Sequence, residues 1–198
     1  MLDIFAPLVL QTLRRPREAC AEVLKLEFER GHLWLILLLV SVVSVLASEF
    51  TMLFVPSDLI VDQGPLPNSP MFMAVVILAL LAATVFATHY IGRAFDGQGA
   101  FDDSLKAVIW MQFVMLALQA VQILFFMISP VFGLLFGWFG ALYMFGVFLV
   151  FVQILHGFKS LGGVLLGAIA GFIGIMLAIA VLITIIAAIF GLEFVTNV

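Results

Sequence analysis

Five long apolar runs occupy most of this 198-residue chain. Each run is at least as long as the roughly 20 residues that a helix needs to cross about 30 Å of hydrocarbon. A soluble domain is excluded, because 65% hydrophobic and 10% charged residues leave too little polar surface to cover it. Lipid offers no partner for an unpaired backbone group, so every run is predicted to be helical. The predicted fold class is an all-α integral membrane bundle of five transmembrane helices, at residues 33–55, 71–95, 104–128, 131–155 and 161–190.

The basic residues all fall on one side of this five-span arrangement. They lie before the first span, at the facing ends of spans two and three, and between spans four and five: Arg14, Arg15, Arg17, Lys25, Arg30, Arg93, Lys106 and Lys159. Cytoplasmic loops retain Lys and Arg, whereas Asp and Glu contribute little to orientation. The sequence therefore predicts a cytoplasmic N-terminus, a C-terminus across the membrane, and a short external tail at residues 191–198.

Residues 1–32 are predicted to be a cytoplasmic segment with an amphipathic pattern. From Pro16, a favoured first residue of a helix, apolar residues recur at helical spacing among charged ones, at Cys20, Val23, Leu24 and Phe28. This pattern is typical of an interfacial helix lying in the headgroup plane. The stretch from Ile4 to Leu13 is predicted to form a second short piece of the same kind. The single cysteine permits no disulfide, and a place on the apolar face is favoured over lipidation.

A polar stripe marks the third predicted span. Gln112, Gln119 and Gln122 fall within about 80° around the helix axis, and such a stripe faces protein or water. The stripe either locks the bundle by hydrogen bonds between helices, which is favoured, or lines a hydrated path. Glu49, the one acid inside a span, completes the candidate polar path and is a functional candidate by default. Its alternative is a structural role, either at the interface or as the acceptor of a hydrogen bond from Gln119 or Gln122.

A second set of polar residues is predicted to gather at the cytoplasmic ends of spans two and four. Pairs three or four residues apart share a helix face there. Two histidines and an aspartate are able to ligate a metal, but no tight spacing such as HExxH supports a metal site. A polar network that fastens the loops to the helix ends is favoured, with these members: His89, Arg93, Asp96, Asp102, Asp103, Gln153 and His156.

Small residues repeat every three or four positions in spans four and five. They let helix backbones approach closely, which in lipid replaces the missing hydrophobic driving force. The partner is either another span of the same chain or a second copy. The candidate packing glycines are Gly133, Gly137, Gly163, Gly167, Gly171 and Gly174.

Three short motifs stand out in the segments between and before the spans. They are Gly97-x-Gly99-x-Phe101-x-Asp103-x-Leu105, residues 12–19 and residues 156–161. These motifs resemble the Yip-one (Ypt/Rab-interacting protein) domain family of polytopic membrane proteins, in particular its bacterial branch. The resemblance implies five spans with a cytosolic N-terminus, and a bacterial inner membrane as the location. Eukaryotic members are associated with Rab-type GTPases. This chain lacks their DLxGP-type signature and a long soluble N-terminal region, so a GTPase partner is not carried over.

Catalysis has no visible support in the sequence. There is no GxSxG motif, no P-loop and no GxGxxG after a strand. We expect a non-enzymatic protein without cofactor or nucleic-acid partner, acting as an adaptor or assembly factor through its helix faces and cytoplasmic loops. Its expected partners are membrane lipids and either another membrane protein or a second copy. The alternative function is a small transporter, channel or lipid scramblase.

Overall fold

A computed structural model describes residues 2–55 and 69–173, and all regular structure within them is helical. The helices are α1 (Leu2–Arg14), α2 (Pro16–Leu24), α3 (Arg30–Met52), α4 (Pro70–Ala94), α5 (Phe101–Ile128), α6 (Pro130–His156) and the described part of α7 (Leu161–Ile173). Helices α3 to α6 are each long and apolar enough to cross a membrane. The all-helical fold with membrane-spanning helices is therefore confirmed. The rest of the fifth predicted span, Gly174 and the tail lie outside the described residues.

Helix α5 begins at Phe101, three residues before the predicted start of the third span. Ala100 occupies the N-cap position and no side chain caps the helix. Asp102 and Asp103 lie in the first turn, where negative charge interacts favourably with the helix dipole. The acids therefore belong to the first turn of α5.

Helix α5 lies at the centre of the bundle and packs against α3, α4 and α6. It forms a tight antiparallel hairpin with α6, because Ser129 alone separates them. Two candidate packing glycines of α6 lie in this hairpin: Gly133 faces the ring of Phe126, and Gly137 faces the side chain of Gln122. Their close-packing partner is therefore α5 of the same chain.

Two glycines of α7 face α4 or the residue that follows it. A Cβ atom at Gly171 would lie 2.5 Å from the end of the Ile91 side chain, so a larger residue would require that side chain to move. A Cβ at Gly167 would reach only ordinary contact with Phe95, at 3.7 Å, and Gly163 is close to Ser160 alone. The stripe thus makes one close contact with α4, one loose contact with Phe95 and one local contact with the link before α7.

The N-terminal helices dock onto the membrane-spanning bundle. Helix α2 packs on α5 and α6, and α1 also contacts α5. Ala19, Cys20 and Val23 form the buried face of α2. The helix ends at Leu24, so the expected continuation to Phe28 was wrong, and that ring is 45% exposed.

Candidate functional site at the His156 end

Two of the three stripe glutamines join α5 to α3. Gln112 Nε2 donates to Ser44 Oγ at 2.7 Å, and Gln119 Nε2 donates to Thr51 Oγ1 at 3.2 Å. Both bonds link residues 68 positions apart, so α3 and α5 run parallel in a constant register. Each hydroxyl also donates to a carbonyl of its own helix, four residues back, which leaves its lone pairs free for the amide. Such bonds within a bilayer average about 0.6 kcal/mol each.

The third glutamine joins α5 to α6. Gln122 Nε2 donates to the carbonyl oxygen of Gly133 at 3.1 Å. Glu49 is exposed on α3, and within the described ranges it accepts no hydrogen bond from Gln119 or Gln122. The geometry therefore places the three amides between helices and leaves Glu49 apart from them.

His156, the last residue of α6, is a buried polar side chain at the end of the bundle where α4 and α6 terminate. We call this end of the bundle the His156 end. The Gly99 N–H donates to His156 Nδ1 at 3.3 Å, and His156 Nε2 lies 3.0 Å from the Thr88 carbonyl oxygen. Since Nδ1 accepts, Nε2 carries the proton and donates, which defines a neutral imidazole. The histidine thus ties α6 to both α4 and the loop after it.

Three glycines enclose the His156 ring. A Cβ atom added at Gly92, Gly97 or Gly99 would lie under 3.0 Å from a ring atom or from His156 Cβ. None of the three has a positive φ; within the described residues only Asp96 and Gly157 do. These glycines are therefore required for space around the imidazole and not for backbone conformation.

Main-chain hydrogen bonds also connect the loop between α4 and α5 to the end of α6. Gln98 N–H donates to the His156 carbonyl at 3.2 Å. Gly157 adopts the left-handed conformation with φ 71°, and Phe158 N–H donates to Gln153 O at 2.9 Å, which is the Schellman arrangement for ending a helix. The residues at the end of α6 therefore both terminate this helix and hold the loop between α4 and α5 in place.

Other members of the predicted polar network form separate attachments. Asp102 binds Arg30 at 2.6 and 3.2 Å and connects α5 to the start of α3. Asp103 accepts from Lys106 Nζ at 3.2 Å, and the same ammonium donates to the Leu24 carbonyl at 3.0 Å, which fastens the end of α2. Two helices, α2 and α3, are therefore joined to the first turns of α5.

Gln153 belongs to the N-terminal attachment, because its Oε1 accepts from Arg17 at 3.3 Å. His89 packs edge-on against Tyr90 and Phe101, and its buried Nδ1 has no partner in the part of the chain that the structure describes. Arg93 and Asp96 are exposed beside the loop. The seven residues are thus distributed over several contacts, and the described residues contain no group of three or more potential metal-binding side chains.

Cys20 lies at the contact between α2 and α6. Its thiol is fully buried and directed at the Phe151 carbonyl, 3.9 Å away. Burial, with a smaller contribution from the Asp103 carboxylate, raises the pKa of this thiol from 9.0 to about 12. The thiolate is the reactive form, so the folded chain protects its only cysteine from alkylation.

Sequence reasoning missed the residues that anchor α1. Trp110 Nε1 donates to Thr12 Oγ1 at 2.9 Å, and that hydroxyl donates to the Leu8 carbonyl at 2.8 Å. Phe5 stacks on the same indole, with ring centroids 6.2 Å apart. Tyr143 of α6 donates to the carbonyl of Leu13. A tryptophan and a tyrosine within apolar spans were the available signal, because both need a polar partner when buried.

This architecture defines a polytopic all-α integral membrane protein whose polar groups connect its helices. The model of the Yip1 domain family matches residues 10–183. The chain therefore belongs to the Yip1 domain family, and the predicted family membership is confirmed. No curated protein and no solved structure matches the chain significantly.

Proposed function

We propose that this Yip1 domain protein is a non-enzymatic adaptor that organises other membrane components. The observation that best supports this proposal is that the three stripe glutamines donate hydrogen bonds to neighbouring helices. The acceptors are Ser44, Thr51 and the Gly133 carbonyl. A polar path would need those amides to face water. Because they bond to neighbouring helices instead, their role is to hold the bundle together, and the transporter, channel or scramblase alternative loses its main support.

The surface offered to a partner is the exposed side of α2 at the His156 end. Its buried side docks on α5 and α6, while exposed charges of both signs lie on the helix, at Glu18 and Glu22, and beside its ends, at Arg14, Arg15 and Lys25. Interspersed charges of both signs favour specific contact with another protein. The partner class is another membrane protein or a second copy of this chain, and no GTPase is proposed.

For the orientation, we infer a cytoplasmic His156 end in a bacterial inner membrane. The support is the position of the basic residues, because Arg17, Arg30, Arg93, Lys106 and Lys159 all belong to this end of the helices. A reporter enzyme that works only in the cytoplasm is expected to be active when fused before Leu2. The same reporter is expected to be inactive after Val198. Activity at both termini would contradict the five-span arrangement.

The adaptor proposal is tested by photo-crosslinking in cells. A photoreactive residue at Lys25, on the exposed side of α2, is expected to give one discrete protein adduct. The matched control is Met127, which is 67% exposed at the far end of α5 and carries no charge. The adduct should disappear when Glu18 and Glu22 are both changed to lysine, because the surface then loses its mixed sign. Equal adducts at Lys25 and Met127 would contradict a specific surface.

Reconstitution tests the alternative function directly. Purified protein in liposomes is expected to leave the rates of lipid flip-flop and ion flux at those of empty liposomes. Gln119→Leu should lower the melting temperature slightly, because it loses one hydrogen bond to Thr51. The transport rates of this variant should equal those of the parent chain and of empty liposomes. Measurable transport that Gln119→Leu or Glu49→Gln slows would replace the adaptor proposal by the transport one.

A further inference from the structure

A long apolar cavity lies between α4, α6 and α7, away from the stripe glutamines. Its volume is about 870 Å³, within the range of roughly 300–1,000 Å³ that ligand cavities occupy. Along α4 it extends from Leu80 to Gly92, about 18 Å at 1.5 Å per residue. Its wall is mainly aromatic and aliphatic, with Phe145, Leu149 and Phe172 among the lining residues. The cavity therefore suits a long hydrocarbon chain lying parallel to the helices.

The α7 side of the cavity is kept open by small residues. Gly163, Gly167 and Ala168 line it, and a Cβ at Gly167 would meet only Phe95, at ordinary contact distance. Only Gly171, one turn further on, packs closely on α4. The first two glycines of the stripe thus leave space between the helices, and the third brings them together.

One end of the cavity carries a positive charge. Lys159 and Ser160 line the cavity at the His156 end, in the link between α6 and α7. The ammonium of Lys159 is exposed and forms no ion pair with any residue in the described ranges. No Asp or Glu is present among the described residues that line the cavity. The charge at this end is therefore complementary to an anion next to a hydrocarbon chain.

We propose that this cavity binds one anionic phospholipid from the leaflet at the His156 end. One acyl chain lies between α4, α6 and α7, and the phosphate lies beside Lys159. The length of the cavity along α4 is close to the thickness of one leaflet, because half of a hydrocarbon core about 30 Å thick is about 15 Å. Lipid binding here is independent of the adaptor surface, because α2 contacts α6 at Phe151 and Gln153, which are not among the residues that line the cavity.

The headgroup contact is tested with the full chain in mild detergent by native mass spectrometry. Dioleoyl phosphatidylglycerol and dioleoyl phosphatidylcholine serve as the two probes. One phosphatidylglycerol is expected per chain, bound about fivefold more tightly than phosphatidylcholine, the preference that one lysine supplies for a net negative headgroup over a zwitterionic one. Lys159→Gln should remove this preference. Lys25→Gln, an equal change of charge at an exposed position on α2, should leave it intact.

The acyl-chain site is tested by filling it. Ala87→Phe places a ring in the cavity wall of α4 and is expected to weaken binding of both lipids at least tenfold. Ala141→Phe, on an exposed face of α6 outside the cavity, is the matched control and should bind as the parent does.

Three results would overturn the proposal. The first is a phosphatidylglycerol preference that persists in Lys159→Gln, an exposed substitution that does not threaten folding. The second is unchanged lipid retention in an Ala87→Phe variant that melts normally. The third is a parent chain that retains neither lipid while Ala87→Phe lowers its melting temperature, which would indicate that the cavity is occupied by the chain's own residues.

Discussion

Replacing Gly92 with alanine is expected to lower the stability of the chain by about 2–6 kcal/mol. The new methyl group would enter the space of the His156 ring, and overpacking costs about 1–3 kcal/mol. The ring is held at both nitrogens, so moving it also breaks two hydrogen bonds worth about 0.5–1.5 kcal/mol each. At about 2–4 °C per kcal/mol, the melting temperature measured by intrinsic fluorescence should fall by roughly 4–24 °C.

Gly146→Ala provides the matched control, because nothing lies within 4 Å of the added Cβ in α6. This variant should melt at or slightly above the parent temperature, since alanine favours a helix over glycine by about 0.5–1 kcal/mol. Combining Gly92→Ala with His156→Ala should cost less than the sum of the single changes, because the second removes the ring that the first displaces. Equal melting of Gly92→Ala and Gly146→Ala would show that the ring is not confined.

Trp110→Ala is expected to release the N-terminal helices from the bundle. The indole is buried, bonds to Thr12 and stacks on Phe5, and removing a buried tryptophan costs about 3–5 kcal/mol. Cys20 reports the release, because its thiol becomes reactive when α2 separates from α6. A 3 kcal/mol loss raises the population of the open form by roughly 100-fold. The rate of maleimide labelling at neutral pH should rise accordingly.

Two further variants serve as controls for the labelling of Cys20. Trp138→Ala removes a ring that is 77% exposed on α6 and should leave the labelling rate of Cys20 unchanged. Trp110→Phe keeps most of the apolar contact and loses the hydrogen bond to Thr12, so its rate should rise about fivefold, equivalent to about 1 kcal/mol. If Trp110→Ala and Trp138→Ala label alike, then the indole does not anchor α1.

The membrane-spanning helices were predictable because lipid permits few alternatives. The ends of α3 to α6 lie within three residues of the predicted spans, since apolar length and backbone satisfaction determine them. The protein-facing side of the glutamine stripe was also predictable from helix periodicity. Its partners were not, because Ser44 and Thr51 bond to their own helix and carry no sequence signal for a second contact.

The surroundings of His156 show a different limit. Gly92, Gly97 and Gly99 make room for a ring 57–64 positions away along the chain. That contact depends on how α4 and α6 pack, which local patterns do not determine. Docking of α1 and α2 was missed for the same reason: their partners lie on α5 and α6, far along the chain.

The attachment of α2 to α6 has a consequence for the order of events during synthesis. Cys20 and the Phe151 carbonyl are 131 residues apart, and ribosomes add about 5–20 residues per second. The α2 helix is therefore complete about 7–26 s before its docking surface exists. During this interval the apolar faces of α1 and α2 are available to the membrane surface or to a chaperone. Docking of the N-terminal helices follows insertion of the α5–α6 hairpin, so a nascent chain arrested before Phe151 is expected to have a reactive Cys20.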